Sequence, residues 1–179
     1  RMHIRFNTLQ IKNSRLSFHT NKERVDFRGI DPNHLELSNL NLHIQDLDAD
    51  SGRVSLNLRK LAFKAQSGFD LKNLSTRLQL TPKRIALEKL LLKTPRSNLV
   101  SDSIHLYHDQ YQGFKEPFSR LRFDLSIQPS TIAFHDLAYL SKAFEKAPNQ
   151  PFDFSGHIKG RINNLKGQQV HIAVGNQTE

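Results

Sequence analysis

The sequence contains no cysteine. That excludes a disulfide framework, a thiol nucleophile and any cysteine-ligated zinc or iron–sulfur centre. It fixes no compartment and is compatible with an oxidising one. There is no apolar run near the roughly 20 residues that a membrane-spanning helix needs, and no secretory signal pattern. Hydrophobic residues make up only 37% of the chain and the mean hydropathy is −0.56. These values are low for a compact globule and suit a thin β-structure exposed on one side. No glycine-rich phosphate loop is present, and Ser67-Gly68 and Ser155-Gly156 lack the strand–elbow–helix setting of a hydrolase nucleophile. With no catalytic constellation and no cofactor motif, the chain reads as non-catalytic and cofactor-free.

What is present is positive charge, unevenly spread. Among 179 residues the formal net charge is +9. Residues 1–30 hold seven bases and two acids, 31–52 five acids and no base, 53–96 eleven bases and two acids, and 97–179 eight of each. The block 53–96 includes Arg59, Lys60, Lys64, Lys72, Arg77, Lys83, Arg84, Lys89, Lys93 and Arg96. Its plain reading is a solvated strand face that discourages edge-to-edge aggregation. A sharper one is attraction to anionic headgroups or nucleic acid. Single-strand nucleic-acid binding calls for aromatics interleaved with bases on one exposed face. Here Phe6, Phe18, Phe27, Phe63 and Phe123 occupy apolar-phase positions, so no nucleic-acid partner is expected.

Most of the chain alternates as β-strands do. Ile4 to Ile11 forms one strand; Leu16-x-Phe18 and Val25-x-Phe27 form two more about a turn at 20–23. Further strands fall at 35–44, 54–65, 69–80, 85–92 and 99–106, then, after a loop at 109–117, at 121–127, with more strands from 152 to 174. Asp50-Ser51-Gly52, Gln66-Ser67-Gly68 and Thr81-Pro82-Lys83 punctuate them. FHDLAYLSKAFEKAPNQP breaks the pattern. Leu137, Leu140, Ala143 and Phe144 are helically spaced, Asp136 suits an N-cap and Pro148 to Pro151 a stop, giving one short helix near 136–146.

The strands share a defect. HLELSNLNLHI, residues 34–44, alternates, pauses at Ser38-Asn39, and resumes one residue out of phase. Because side chains switch faces every residue, such a slip would turn the second half outward. It recurs at Phe6/Leu9, Leu37/Leu40, Leu58/Leu61, Leu71/Leu74 and Leu87/Leu90, with Ile162/Leu165 a sixth candidate. A β-bulge absorbs one extra residue and keeps the apolar side inward. Each long strand then bends in its middle, and the stack makes a folded sheet with an apolar lining. The competing explanation is a turn between two short strands, as in an antiparallel sandwich. Arg59-Lys60 and Glu88-Lys89 weigh against it, since a tight hairpin wants Gly or Asn at positive φ. The expected fold is mainly β, a long bent antiparallel sheet folded into an open groove, with one short helix. It reads as a single continuous domain: groove strands over 1–134, a helix over 135–147, and further strands over 152–179. The chain opens inside a strand-like pattern and reads as a segment of a longer protein.

Nine histidines invite a metal hypothesis, but His105 and His108 point to opposite faces of a strand, His34 and His43 lie on opposite halves of another, and the rest are isolated. Asp46, Asp48 and Asp50 alternate on one strand face and offer at most weak calcium binding, because the glycine and the closing glutamate of a calcium loop are missing. No metal site is expected.

The stretch FDFSGHIKGRINNLKGQQVHIAVGNQTE, with Phe154, Gly156, Ile158, Gly160, Ile162 and Leu165 in an apolar–Gly–apolar rhythm, resembles the repeats of AsmA-like and TamB-like proteins of the diderm bacterial envelope. So does LKNLSTRLQLTPKRIALEKLLLKTPRSNLVSDSIHL, and the likeness covers most of 30–108 and 152–179. The helix has no clear counterpart in the simplest form of that repeat. The resemblance implies a periplasmic β-rich body, its parent anchored in the inner membrane through parts outside this segment. Its partners would be phospholipid or another acyl lipid and the outer-membrane assembly machinery. The residues placed in a lipid-holding groove are Leu35, Leu37, Leu40, Leu42, Val54, Leu56, Leu58, Leu61, Phe63, Leu71, Leu74, Leu78, Leu80, Ile85, Leu87, Leu90 and Leu92. The alternative is a closed β-sandwich serving adhesion or glycan binding through its loops.

Overall fold

In a computed structural model the described residues are 3–23, 29–31, 33–108, 121–139, 144–147, 150–161 and 164–175. The expected strand at Val25 and Phe27, the loop at 109–117, and Leu140, Ala143, Pro148 and Ile162 lie outside them.

Nine strands form one antiparallel sheet in chain order: β1 Ile4–His19, β2 His34–Ala49, β3 Val54–Ala65, β4 Asp70–Thr81, β5 Arg84–Lys93, β6 Asn98–Tyr107, β7 Arg122–Ala133, β8 Pro151–Arg161 and β9 Asn164–Val174. β1 and β9 are the open edges, so the sheet is not closed into a barrel. Among the described residues one short α-helix, α1 Phe134–Ala138, follows β7.

The two faces are sharply segregated. A row of partners crosses all nine strands as Ile4, Ala49, Val54, Leu80, Ile85, Leu106, Phe123, Gly160 and Leu165. A second row, on the opposite face, runs Thr8, Gln45, Asn57, Arg77, Glu88, Ser103, Ser126, His157 and Gln168. On β3 to β9 the two rows stand three residues apart, so period-two alternation puts them on opposite faces; on β1 and β2 they stand four apart, and the left-handed step at Asp46 makes up the difference.

The slips are bulges. β2 holds an extra residue about Asn39, with φ 52°, and β5 one at Lys89, also φ 52°. The β3–β4 register shifts once on each strand, at Arg59-Lys60 and at Lys72-Asn73. β7 shifts between Ile127 and Ser130, where Pro129 lies. Proline has no N–H to give a ladder, and a bulge is where a strand tolerates that. β9 shifts around Gln169, φ 51°. Opposite it Gly156 has φ 134°, and an added Cβ would lie 2.8 Å from the Val170 Cα. The bulges of neighbouring strands lie close together and crease the sheet across its width.

Three expectations are corrected. Leu16 and Phe18 do not belong to a separate strand: β1 runs unbroken from Ile4 to His19 and takes its own kink at Asn13, φ 43°. Asn accepts this left-handed conformation more readily than most residues. Between Phe6 and Leu9 no shift occurs against β2, because Asp46 (φ 53°) steps β2 at the same level and Phe6 and Leu9 keep Leu47 and Ile44 as partners. Arg161 pairs with Asn164, so the sixth candidate slip, Ile162/Leu165, separates β8 from β9 and is not a bend within a strand.

The helix also differs. It begins at Phe134 and ends at Ala138, with Ala133 at the N-cap and no side-chain cap. Asp136 is buried inside it and accepts hydrogen bonds from Thr94 Oγ1 and Ser97 Oγ, both at 2.5 Å. Ser97 Oγ in turn accepts from the Ala133 N–H at 3.0 Å. The carboxylate ties α1 to the β5–β6 turn. Tyr139, just beyond, packs its ring on Phe69 at 5.5 Å, and Phe69 meets Phe63 of the apolar face. Its carbonyl accepts from the Ile30 N–H at 2.9 Å. A flat sheet would set β7 and β2 about 24 Å apart, while five helical residues rise only about 7.5 Å. The four residues from Ile30 to β2 add up to about 13 Å, so α1 and its link to Ile30 reach across the apolar face. α1 and Tyr139 cover one end of the trough that the creased strands make.

Candidate functional site: the apolar trough

All seventeen groove residues project from one face, and the strand register brings them together. Val54, Leu80 and Ile85 share one row, Leu78 joins Leu56 to Leu87 in the next, and Leu42, Leu61, Leu74 and Leu92 make a third. Phe63 opposes Leu71, Leu35 opposes Phe18, and Leu37 lies between Leu16 and Ala65. Leu58 faces Thr76, Leu40 faces Ser14 and Leu90 faces Ser101.

Their burial decides what kind of face this is. Only Leu37, Leu40, Leu71 and Leu90 are buried; the other thirteen are half-buried. Side chains in a sandwich core are closed off by the facing sheet, about 10 Å away. Here one sheet holds every strand among the described residues, and most of its apolar face stays open to solvent. The total surface agrees. A compact monomer of this mass, 20.6 kDa, exposes about 8,900 Å², whereas this chain exposes 12533 Å².

Along the crease the lining includes polar groups that the sequence reading missed. Thr76, Ser101 and Ser130 fall at inward, buried positions between leucines and isoleucines. Each hydroxyl serves a carbonyl where the ladder is interrupted: Thr76 Oγ1 donates to Glu88 O at 3.0 Å, Ser101 Oγ to Ser126 O at 2.7 Å, and Ser130 Oγ to Gln128 O at 2.7 Å. A bulge leaves backbone groups without their ladder partners, and buried groups of that kind must be satisfied locally. The signal was available in the sequence as a hydroxyl standing in an apolar phase.

The outer face is a mosaic of ions and amides. Lys72 Nζ meets Asp70 Oδ2 at 2.7 Å, Arg5 and His3 both meet Asp48 at 2.8 Å, and Arg59 donates to Gln45 at 2.6 Å. The hydrogen bond from His3, then that from Arg5, holds the Asp48 carboxyl below its ordinary pKa. Asp50 is lowered by the backbone N–H groups of Gly52 and Arg53. Asp46 accepts from Asn57 Nδ2 at 2.8 Å. The three aspartates thus serve separate partners, and no trio of His and carboxylate groups among the described residues is placed to share a metal ion.

The arrangement offers an amphiphile an elongated hydrophobic wall with α1 at one end. No protein-family model, curated protein or solved structure matches the chain.

Proposed function

We propose that the chain is a periplasmic segment of an AsmA-like or TamB-like envelope protein. It holds or conducts phospholipid acyl chains along the trough and supports outer-membrane assembly, with its parent anchored in the inner membrane. The supporting observation is the apolar row that crosses nine strands without a charge while most of the lining stays half-exposed. Such a surface is favourable for acyl chains at about 0.8 kcal/mol per buried CH₂. The bulges serve this reading, because they bend the strands and keep the seventeen lining residues on one side. The trough binds and releases; no bond is made or broken.

The test is native mass spectrometry of the chain purified from bacterial cells, followed by lipid extraction. Wild type is expected to carry phospholipid. Leu56→Asp, which sets a charge among half-buried leucines, is expected to lose it while circular dichroism still reports a folded sheet. Lipid-free wild type with no trough accessible to a hydrophobic dye, or full lipid retention in Leu56→Asp, would overturn the proposal.

A further inference from the structure

The outer face of β2 to β5 holds an open depression of about 300 Å³. Its floor is the row Ser55, Gln79 and Ala86, and one wall is the next row, Asn57, Arg77 and Glu88. Short side chains make the hollow. Ser55 stands between Arg53 and Asn57 on its strand, and Ala86 between Arg84 and Glu88 on its own.

The wall is fastened in place. Asp46 steps β2 at φ 53°, and its carboxylate reaches the outer face, where it accepts from Asn57 Nδ2 at 2.8 Å. Asn57 Oδ1 accepts from Arg77 Nε at 3.4 Å, and Arg77 Nη1 stands 3.8 Å from Glu88 Oε2. One chain of polar groups thus crosses four strands. A bulge that re-aims a side chain is a recurring device beside functional sites. On the floor, Arg84 donates to Gln79 Oε1, which leaves the Gln79 amide N–H₂ to donate.

The groups left over define the ligand. Among the described residues the side chains of Arg53 and Ser55 have no hydrogen-bond partner, and Asp46 keeps a second carboxylate oxygen beyond the one that Asn57 holds. Donors and acceptors therefore stand on the same rim. An anion placed there meets Asp46 and Glu88; a cation meets Arg53 and Arg77. A hydroxyl both donates and accepts, and a hydrogen bond to a charged partner is about twice as strong as one between neutral groups. Vicinal hydroxyls on one ring satisfy both kinds of group at once. The volume is at the lower end for small-molecule sites, which suits a single ring.

We infer that this depression binds a neutral sugar ring through its vicinal hydroxyls. The site lies on the face opposite the lining, so it does not rest on the trough holding lipid.

The experiment is an amide-resolved NMR titration of the isotope-labelled chain with glucose, galactose, mannose and N-acetylglucosamine. Each is taken to about 10 mM, because so small a contact supports a Kd of about 1 mM. At least one sugar is expected to shift the amides of Ser55, Asn57, Gln79 and Glu88 to saturation and to leave those of β7 to β9 in place. Ser55→Tyr fills the hollow with a residue that suits a strand and is expected to weaken binding at least tenfold. Glu88→Gln keeps the shape, removes a charged acceptor and is expected to weaken binding at least threefold; it carries the test if Ser55→Tyr does not fold. Ser126→Tyr places the same ring on the outer face of β7 and is expected to change binding less than twofold. No saturable shift with any of these sugars, shifts centred outside the depression, or unchanged affinity in Glu88→Gln or in folded Ser55→Tyr would overturn the inference. Saturable shifts at the same amides with sodium phosphate or sodium acetate, and none with sugar, would overturn it in favour of an anion.

Discussion

The middle of the sheet and its two edges are built from the same alternation and end in opposite states. Leu71 and Leu90 are 4% and 5% exposed, whereas Phe6 on β1 and Ile172 on β9 are 52% and 61% exposed. Residue type does not explain the difference. A central strand has neighbours on both sides, and the crease folds their side chains over it. An edge strand has one neighbour and nothing beyond. Among the described residues the large exposed apolar side chains all lie on β1 and β9, apart from Phe144. Hydrophobic stabilisation here is thus a property of position in the row, concentrated at the crease and thinning toward both edges.

The sharpest way to break the comparison is to remove the same atoms at both places. Leu90→Ala should cost about 3 kcal/mol, the mid-range for a buried leucine, in denaturant unfolding. A second prediction concerns the latch at the end of the trough. Asp136→Ala leaves the Thr94 and Ser97 hydroxyls without their acceptor and should cost about 2 kcal/mol. It should also raise amide exchange at Ile30, whose N–H bonds to Tyr139. If exchange at Ile30 is unchanged, α1 is held by packing alone. Third, Lys89→Gly should stabilise by about 1 kcal/mol, since a left-handed conformation costs a non-glycine residue that much. A loss there would mean that the lysine side chain matters more than its backbone. Ile172→Ala, the edge counterpart of Leu90→Ala, should change stability by less than about 0.5 kcal/mol. If the two truncations cost the same, the edge is covered in solution and the comparison fails.

The smallest effect belongs to Asp48 at the β1 edge. Its folded pKa is lowered by His3 and Arg5. Its contribution is therefore present above the ordinary aspartate value, about 3.9, and is lost as pH falls through the lowered one. Exchange of the β1–β2 amides should quicken slightly below pH 4 in wild type. In Asp48→Asn that part of the dependence should be absent.

The strands and four of the bends were legible because the face rule is strict. Only an inserted residue lets Leu37 and Leu40, or Leu87 and Leu90, share a side, and Ser38-Asn39 and Glu88-Lys89 mark where it goes. The kink at Asn13 was less legible, for Lys12-Asn13-Ser14 looks like a turn between strands, and only the partner β2 keeps the chain going. Asp136 misled because helix capping is a local rule, and its carboxylate was claimed by Thr94 and Ser97, some 40 residues away in the chain. The lining was readable as leucines; Thr76, Ser101 and Ser130 were not, since their partners are carbonyls freed where bulges interrupt the ladder, on a neighbouring strand for Thr76 and Ser101 and on the same strand for Ser130. The facing of Arg122 by Arg161 and of Lys159 by Lys166 escaped for a related reason. Counting charge along the chain drew attention to residues 53–96, while residues 97–179 balance. It is the pairing of β7 with β8 and of β8 with β9 that sets like charges side by side.

Strict chain order in the sheet bears on how the molecule comes into being. Every strand finds its partner in the one made just before it, so the sheet can be assembled in the order of synthesis. Such growth never needs a distant pairing to begin, and long-range pairing is what makes many β-proteins slow to fold. At each stage the newest strand is the unprotected margin, and the next hairpin covers it.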